Sequence, residues 1–307
     1  LGYKSKEYNE SILLTVFTPA FNRAHTLIRT YKSLQAQTCK DFIWLVVDDG
    51  STDNTAELIC SWKKENNNFE IQYIYKKNGG MHTAHNTAYE NIYTELNVCI
   101  DSDDYMPEDA VELILEKWSK IKNKGYAGIV GLDADSCTGK VIGKDFQKGL
   151  QEITLSGYYA AGGRGDKKQV YRTDIINKYP PYPTFEGEKY FSLSYKYLLI
   201  DQDYKLAVLN KILCYVEYQQ DGSSNNMLRQ YYVNPKGFAE WRKIRMRYDL
   251  SYKRCIMDCI HYCSSSILCG NKNYISQSPY KKLALLCSPA GWLLANYIKI
   301  SNKRDTL

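Results

Sequence analysis

At 307 residues, with 44% hydrophobic and 24% charged residues, the chain has the composition of a globular protein able to bury a sizeable core. That excludes long disordered or collagen-like stretches and predicts one main domain plus an appendage. The net charge of +6 is unevenly spread: residues 1–225 hold 26 Lys+Arg against 30 Asp+Glu, whereas residues 226–307 hold 14 against 4. A basic tail of this kind favours an anionic partner, phospholipid or nucleic acid.

The ten cysteines lack the density of a small disulfide scaffold and follow no signal peptide, so they read as reduced thiols of a cytosolic protein. The chain begins at Leu1 rather than Met, so its true start is expected to be missing or replaced, and no targeting is read from the first ten residues. Cys255, Cys259 and Cys263, near His261, share one helical face by their spacing of four. They read as small hydrophobes rather than zinc ligands.

In chain order, Ile12 to Phe17 is a continuous apolar run of strand length that stops at Thr18-Pro19. Such runs suit a parallel sheet covered on both faces. His25 to Gln37 carries Leu27, Ile28, Tyr31 and Leu34 at helical spacing. A second buried strand, Phe42 to Val47, ends in Asp48-Asp49-Gly50-Ser51, where Ser51, Thr52 or Asp53 can cap a helix through Ala56 to Lys64. A third strand, Glu70 to Tyr75, leads into Lys77-Asn78-Gly79-Gly80, then a helix over Met81 to Tyr93 and a strand opening at Val98. This alternation predicts a doubly wound α/β domain.

In an open parallel sheet, ligands bind outside the carboxyl ends of the strands. Four successive strand ends here carry Thr18-Pro19-Ala20-Phe21-Asn22-Arg23, Asp48-Asp49-Gly50-Ser51, Asn78-Gly79-Gly80 and Asp101-Ser102-Asp103-Asp104, forming one polar rim. Acids packed at a strand end repel one another unless a divalent cation compensates them, so Asp101 and Asp103 read as a metal and nucleotide site. The alternative for Asp103 or Asp104 is a cap for a helix beginning near Pro107.

Further on, Gly128 to Asp133 reads as a short strand, and Gly162 to Lys168 as a charged glycine-rich loop before a strand at Val170, either a mobile surface loop or one that covers or lines the site. Tyr179-Pro180-Pro181-Tyr182-Pro183 breaks the chain. A helix is expected from Phe185-Glu186 through Leu199, then strands at Tyr204–Leu209 and Ile212–Tyr218 and a loop over Gln219–Asn225. From Met227 the chain turns helical, basic and aromatic. Leu283 to Ile298 carries no charge, but sixteen residues fall short of the about 20 needed to cross a bilayer, and Pro289, Gly291 and Asn296 interrupt them. An in-plane anchor or a core-packed helix is expected there.

With the rim assembled, the sequence resembles family 2 inverting glycosyltransferases of the GT-A fold, particularly bacterial capsule and exopolysaccharide sugar transferases. The resemblance rests on Thr18 to Arg23, Val46 to Asp53, Asn78-Gly79-Gly80 with Asn86, and Ile100 to Asp104. It implies a Rossmann-like, mostly parallel sheet flanked by helices, with a basic helical C-terminal extension. Residues 1–225 would be the catalytic domain, with a nucleotide half over about 10–105 and an acceptor half over about 106–225. Residues 226–307 would attach to the membrane surface.

The implied activity is a metal-dependent hexosyl transfer from a nucleotide-sugar, most often UDP-linked, with inversion, using Mn2+ or Mg2+. Thr18, Pro19, Phe21 and Arg23 would line the nucleotide pocket, Asp49 would hold the base, and Asn78, Gly79, Gly80 and Met81 would lie beneath the nucleotide. Asp101 and Ser102 would face ribose or donor sugar, and Asp103, with Asp101, would bind the metal. Family members carry an acidic pair at the head of a later helix, which points to Glu188, with Glu186 behind it, as base. Arg164 is the acceptor candidate.

The expected acceptor is a glycan or lipid-linked sugar in cell-surface polysaccharide biosynthesis. The tail would dock on an anionic membrane surface rather than nucleic acid, on the cytoplasmic face of the plasma membrane. The alternatives are a sugar nucleotidyltransferase, disfavoured because Thr18 to Arg23 has no glycine, and a noncatalytic nucleotide- or glycan-binding module.

Overall fold

The computed structural model describes residues 12–217, 227–248 and 251–304. The first part of the chain alternates as β1 (Leu14–Ala20), α1 (Ala24–Gln35), β2 (Phe42–Asp48), α2 (Thr55–Trp62), β3 (Glu70–Tyr75), α3 (Met81–Asn91), β4 (Leu96–Cys99) and α4 (Ala110–Ile121). There follow β5 (Gly128–Asp135), β6 (Glu152–Ile153), α5 (Leu155–Ala160), β7 (Lys167–Arg172), α6 (Thr173–Ile176), α7 (Ser194–Ile200) and β8 (Leu206–Val216). The tail is helical: α8 (Met227–Val233), α9 (Pro235–Tyr248), α10 (Tyr252–Leu268), α11 (Tyr274–Gln277) and α12 (Lys281–Arg304).

The eight strands form one sheet in the order β3-β2-β1-β4-β7-β5-β8-β6. β3, β2, β1 and β4 pair in parallel, while β7 runs antiparallel between β4 and β5. Strand alternation sorts side chains between two cores. Leu14, Val16, Trp44 and Val46 pack under α1, α2 and α4, whereas Phe17, Leu45 and Val47 pack with residues of α3, α7 and α9. Complete burial of β1 and β2 follows from this double cover.

Three expectations are corrected. β1 runs through Thr18-Pro19 to Ala20. Phe17 offers its carbonyl to Ile100 of the β4 side and Ala20 to Asp49 of the β2 side, so by alternation Pro19 turns its missing N–H toward β4, which has already ended at Cys99. The two late strands are one strand, β8, in which Leu209, Asn210 and Lys211 stand opposite the single residue Gly131. The helix expected from Phe185 begins only at Ser194. The Gln219–Asn225 loop lies outside the described residues.

α9 joins the tail to the sheet. Trp241 and Ile244 enter the core shared with α3 and α7, while Ala239 and Met246 on its other side pack with Cys255, Cys259, Cys263 and Cys287. Arg242 and Arg245 both pair with the buried Asp258 of α10, at 2.5 and 3.1 Å. The three cysteines of α10 are therefore core residues, and His261 packs instead against the ring of Tyr231. All ten thiols are free.

α12 continues for 24 residues through Pro289, which lies on its exposed face. By length and composition it is the one helix among the described residues able to cross a membrane. One face, with Ala284, Cys287, Ala295 and Ile298, is buried on the tail. The opposite face exposes Leu285, Leu286, Trp292, Leu293, Tyr297 and Ile300.

Candidate active site

The first two loops of the rim are tied together. Asn22, in a left-handed conformation with φ 53, accepts the Thr52 N–H at 2.8 Å and donates its own N–H to Ser51 Oγ at 2.9 Å. Asp53 accepts the N–H groups of Ala24 and Thr55, both at 3.1 Å, and so holds the starts of α1 and α2 at once. This fixes Arg23 at the mouth of the sheet.

Asp49 organises the third loop. Its carboxylate is buried and accepts the N–H groups of Gly79 at 3.0 Å and Gly80 at 2.7 Å, with the Lys76 ammonium at 2.5 Å. Gly80 has φ +94, and a Cβ there would lie 1.9 Å from the Lys189 carbonyl oxygen, so the loop needs glycine to approach the Lys189 segment.

The fourth loop carries the acids. Thr30 Oγ1 donates to the Asp104 carbonyl at 2.7 Å and Arg29 to that of Asp103 at 3.4 Å. The Asp104 side chain turns inward and accepts the Glu217 N–H at 3.2 Å and the Cys214 thiol at 3.7 Å, so it is a tertiary tie and not a helix cap. Behind Asp101, its Oδ1 accepts the Cys99 thiol at 3.5 Å, and Cys99 Sγ lies 3.7 Å from His85 Nε2.

These carboxyls crowd one another. Burial, followed by the charge of Asp101, raises the Asp103 pKa against the pull of Arg23 and Arg29. Burial pushes Asp104 up to about 8 despite Lys168, and Asp133 up to about 6. The Lys168 ammonium, 3.9 Å from Asp133, sits behind the cluster. Burial alone would lower its pKa, but Asp133, Cys214, Asp104 and Asp101 outweigh that and hold it well above its ordinary value. With Asp104 protonated at neutral pH, one ammonium beside Asp101, Asp103 and Asp133 leaves excess negative charge, and the oxygen donors suit a hard divalent cation. Among the described residues no three His, Cys, Asp or Glu side chains converge as a complete ligand set.

A cavity of about 970 Å³ opens over this cluster. Of the residues expected from sequence, Arg23, Met81, Asp101, Ser102 and Asp103 line it. The others surround it in supporting positions. Thr18 is fully buried and accepts the Trp44 indole N–H at 3.0 Å, Pro19 is buried in β1, and Phe21 is 45% exposed. Asp49 braces the Asn78-Gly79-Gly80 loop that leads into Met81, and none of these four lines the cavity.

The base candidates are placed differently from expectation. Glu186 is exposed. Glu188 directs both oxygens to the start of α9, accepting the N–H groups of Lys236 at 2.8 Å and Gly237 at 2.7 Å. Neither lines the cavity, although Gly187 and Lys189 do. Arg164 is exposed and also off the cavity wall, but its neighbour Asp166 is on it. The loop is held by Lys167, whose buried ammonium donates to the carbonyls of Ile142, Arg164, Gly165 and Asp166 at 3.1–3.3 Å. Gly165, at φ +78, lets the loop pass Ile142, whose oxygen would lie 2.1 Å from a Cβ.

Sequence reasoning missed Asp166, His82, Lys189 and Glu217. His82 lies one residue beyond Met81 and is 2% exposed, with Nδ1 lacking a hydrogen-bond partner. Burial lowers its pKa to about 4, keeping the ring neutral.

Comparison with known proteins agrees with this architecture. The family model for "Glycosyl transferase family 2" matches residues 15–179. A Campylobacter jejuni protein named GalNAc(5)-diNAcBac-PP-undecaprenol beta-1,3-glucosyltransferase is 26% identical over 256 residues, 78% of each chain. The first curated relatives, among them a hyaluronan synthase and a chondroitin synthase, are longer proteins of whose length the chain spans less than a fifth.

Among solved structures, Staphylococcus aureus TarS residues 1–349 with UDP-GlcNAc superposes with TM-score 0.58 at 15% identity, over 95% of this chain and 92% of that one. The mannosyltransferase PcManGT from Pyrobaculum calidifontis, with GDP-Man and Mn2+, gives 0.56 at 13% identity, over 92% and 87%. At these identities the likeness shows the fold alone, which is GT-A. The family model covers more than half of the sequence, and the chain belongs to glycosyl transferase family 2.

Proposed function

We propose that the chain is an inverting glycosyltransferase that moves a sugar from a UDP-linked donor to a glycan or lipid-linked acceptor in cell-surface polysaccharide synthesis. The observation that carries this reading is the convergence of Arg23, from the end of β1, and Asp101 to Asp103, from the end of β4, on one cavity whose wall also includes Asp166. The UDP-GlcNAc complex of TarS supports the donor class, and the Campylobacter relative's name supports a diphospholipid-linked acceptor.

In this reading Arg23 and Met81 hold the nucleotide, and Ser102 and Asp101 face the ribose and donor sugar. Asp49 acts one layer back, shaping the Asn78–Gly80 loop. Asp103, with Asp101, would hold Mn2+ or Mg2+, which when bound supplies positive charge to the diphosphate leaving group. Asp166 takes the acceptor hydroxyl proton, because Glu188 is engaged with α9 and Asp166 is an exposed carboxylate on the cavity wall. As the acceptor oxygen bonds to the anomeric carbon, the bond to the diphosphate oxygen breaks. The electron pair leaves with the nucleotide, beside Arg23.

We assign residues 226–307 to attachment at the cytoplasmic face of the membrane. The exposed stripe of α12, from Leu285 to Ile300, is bounded by Lys281, Lys282 and Lys299, the pattern of a helix lying in an anionic interface.

The test is nucleotide release from a panel of UDP-, GDP- and dTDP-sugars with Mn2+, Mg2+ or chelator. The reading expects metal-dependent release from one donor, reduced at least about a hundredfold in Asp103→Asn and in Asp166→Asn. Release of pyrophosphate from a nucleoside triphosphate and a sugar phosphate would instead establish nucleotidyl transfer.

A further inference from the structure

The first turn of α3 and the segment from Lys189 to Phe191 meet at one corner of the cavity of about 970 Å³, and Met81, His82, Lys189 and Phe191 all line it. A Cβ on Gly80 would lie 1.9 Å from the Lys189 carbonyl oxygen, and the rings of His82 and Phe191 are 6.3 Å apart, so the segment sits directly on the start of the helix. On its other side the Lys189 N–H donates to Asn234 Oδ1 at 2.8 Å. The Lys189 backbone is thus fixed between α3 and the junction of α8 with α9. Its side chain is exposed, and its ammonium pairs with no carboxylate among the described residues.

The corner gathers donors that lack acceptors. α3 runs for eleven residues, and its N-cap residue, Gly80, brings no side chain to cap it. Asp49 takes the N–H groups of Gly79 and Gly80 with its own charge met by Lys76, while Thr83 and Ala84 donate to the Gly80 carbonyl. Among the described residues this leaves the N–H groups of Met81 and His82 without partners at the positive end of the helix.

His82 gives a second and independent sign of a ligand. It is 2% exposed, and its Nδ1 is buried with no hydrogen-bond partner, a deficit that costs stability until something supplies one. Burial keeps the ring neutral, so one nitrogen carries a proton that can be donated to an oxygen. Among the described residues the cations on this wall are Arg23 and Lys189, against acids that include Asp101 and Asp103.

We propose that the first turn of α3 and Lys189 form an anion subsite that takes the diphosphate of the nucleotide-sugar, with Lys189 as a further catalytic residue. The inference rests on the nucleotide-sugar reading and adds to it a positive group separate from the metal. As the bond between the anomeric carbon and the diphosphate oxygen breaks, the electron pair stays on the diphosphate, where the Lys189 ammonium and the α3 N–H groups meet the added charge. The several oxygens of a diphosphate match the number of donors gathered here.

The experiment is titration of the full chain with UDP, by calorimetry, and with uridine, by ligand-observed NMR, each with Mn2+ and with chelator. Parent, Asp103→Asn, Lys189→Met, Lys189→Arg, His82→Phe and His82→Asn are compared, with an unfolding curve for each. In Lys189→Met the UDP affinity is expected to fall about tenfold both with Mn2+ and with chelator, while uridine binding and the unfolding midpoint stay as in the parent. Lys189→Arg should recover most of that loss, because it keeps the charge. His82→Phe should weaken UDP several-fold, and His82→Asn, which keeps a polar atom near the place of Nδ1, should recover part.

Unchanged UDP affinity in either Lys189→Met or His82→Phe overturns the subsite, as does an equal loss of UDP and uridine, which would mark a change in the shape of the cavity. The reading beneath it fails differently. If the parent binds no UDP under any condition, the nucleotide-sugar reading falls. If the parent binds UDP and Asp103→Asn weakens it while Lys189→Met does not, the subsite alone falls.

Discussion

Glu188 Oε2 accepts the backbone N–H of Gly237 at 2.7 Å, and its other oxygen accepts that of Lys236 at 2.8 Å. An acid read from sequence as a proton acceptor thus serves the N-terminus of α9, where the first N–H groups have no partners within the helix. Glu188→Gln is expected to lower stability by about 1–2 kcal/mol in thermal or denaturant unfolding. Turnover below the transition should remain near that of the parent. A hundredfold fall in turnover with unchanged stability would return the base to Glu188.

Gly80 and Lys189 make the second contact on which the cavity depends. Gly80→Ala adds a Cβ at φ +94 and 1.9 Å from the Lys189 oxygen. We expect a loss of about 1–3 kcal/mol from the backbone conformation, increased by displacement of the Lys189 segment. UDP affinity should fall with it, since Met81 and Lys189 both line the cavity. Unfolding curves and a UDP titration on the same sample check both parts.

Three histidines predict the acid limb of stability. Burial is the leading cause that lowers His82, His85 and His261 to about 4 each. Their folded pKa lies below the unfolded value of about 6.5, so between those values the unfolded state binds more protons. Their contribution is fully present above about pH 6.5 and is lost as pH falls toward 4. Each group adds a slope of up to about 1.4 kcal/mol per pH unit, less for the partly exposed His261. Denaturant titrations from pH 7 to 4.5 should show this fall, shallower in His261→Gln.

The outer face of α12 gives a prediction independent of catalysis. Leu286 and Leu293 are 77% and 64% exposed, so changing both to Glu should leave the unfolding transition within about 0.5 kcal/mol of the parent. Flotation with vesicles containing anionic lipid should fall several-fold. Equal flotation of parent and variant would remove α12 from membrane attachment.

The alternating strands and helices from β1 to β4 were legible because their signals are local. Phe42 to Val47 is apolar throughout and β2 is buried throughout, and β3 falls on Glu70–Tyr75 as its pattern predicts. The place of Asp101 and Asp103 on the cavity wall was legible because acids at a strand end repel one another unless they face an opening. The rest depends on contacts that spacing does not encode. Glu188 finds its partners 48 and 49 residues away, and Gly187, at φ 80, interrupts the expected helix, which begins only at Ser194. Asp166 looked like part of a charged surface loop, and only the buried Lys167 ammonium, gathering four carbonyls, shows that the loop is fixed. A smaller cavity of about 420 Å³ joins α5, α7, α9 and α10, which no single stretch reveals.

In the proposed function Arg23 and Asp101 to Asp103 form a metal-assisted nucleotide diphosphate site. Calorimetric titration of UDP into the parent and Asp103→Asn, each with Mn2+ and with chelator, tests it most directly. The expected result is binding to the parent with Mn2+, at least about tenfold weaker with chelator, and weak binding to Asp103→Asn under both conditions. Binding of equal strength in all four titrations, or in none, would contradict it.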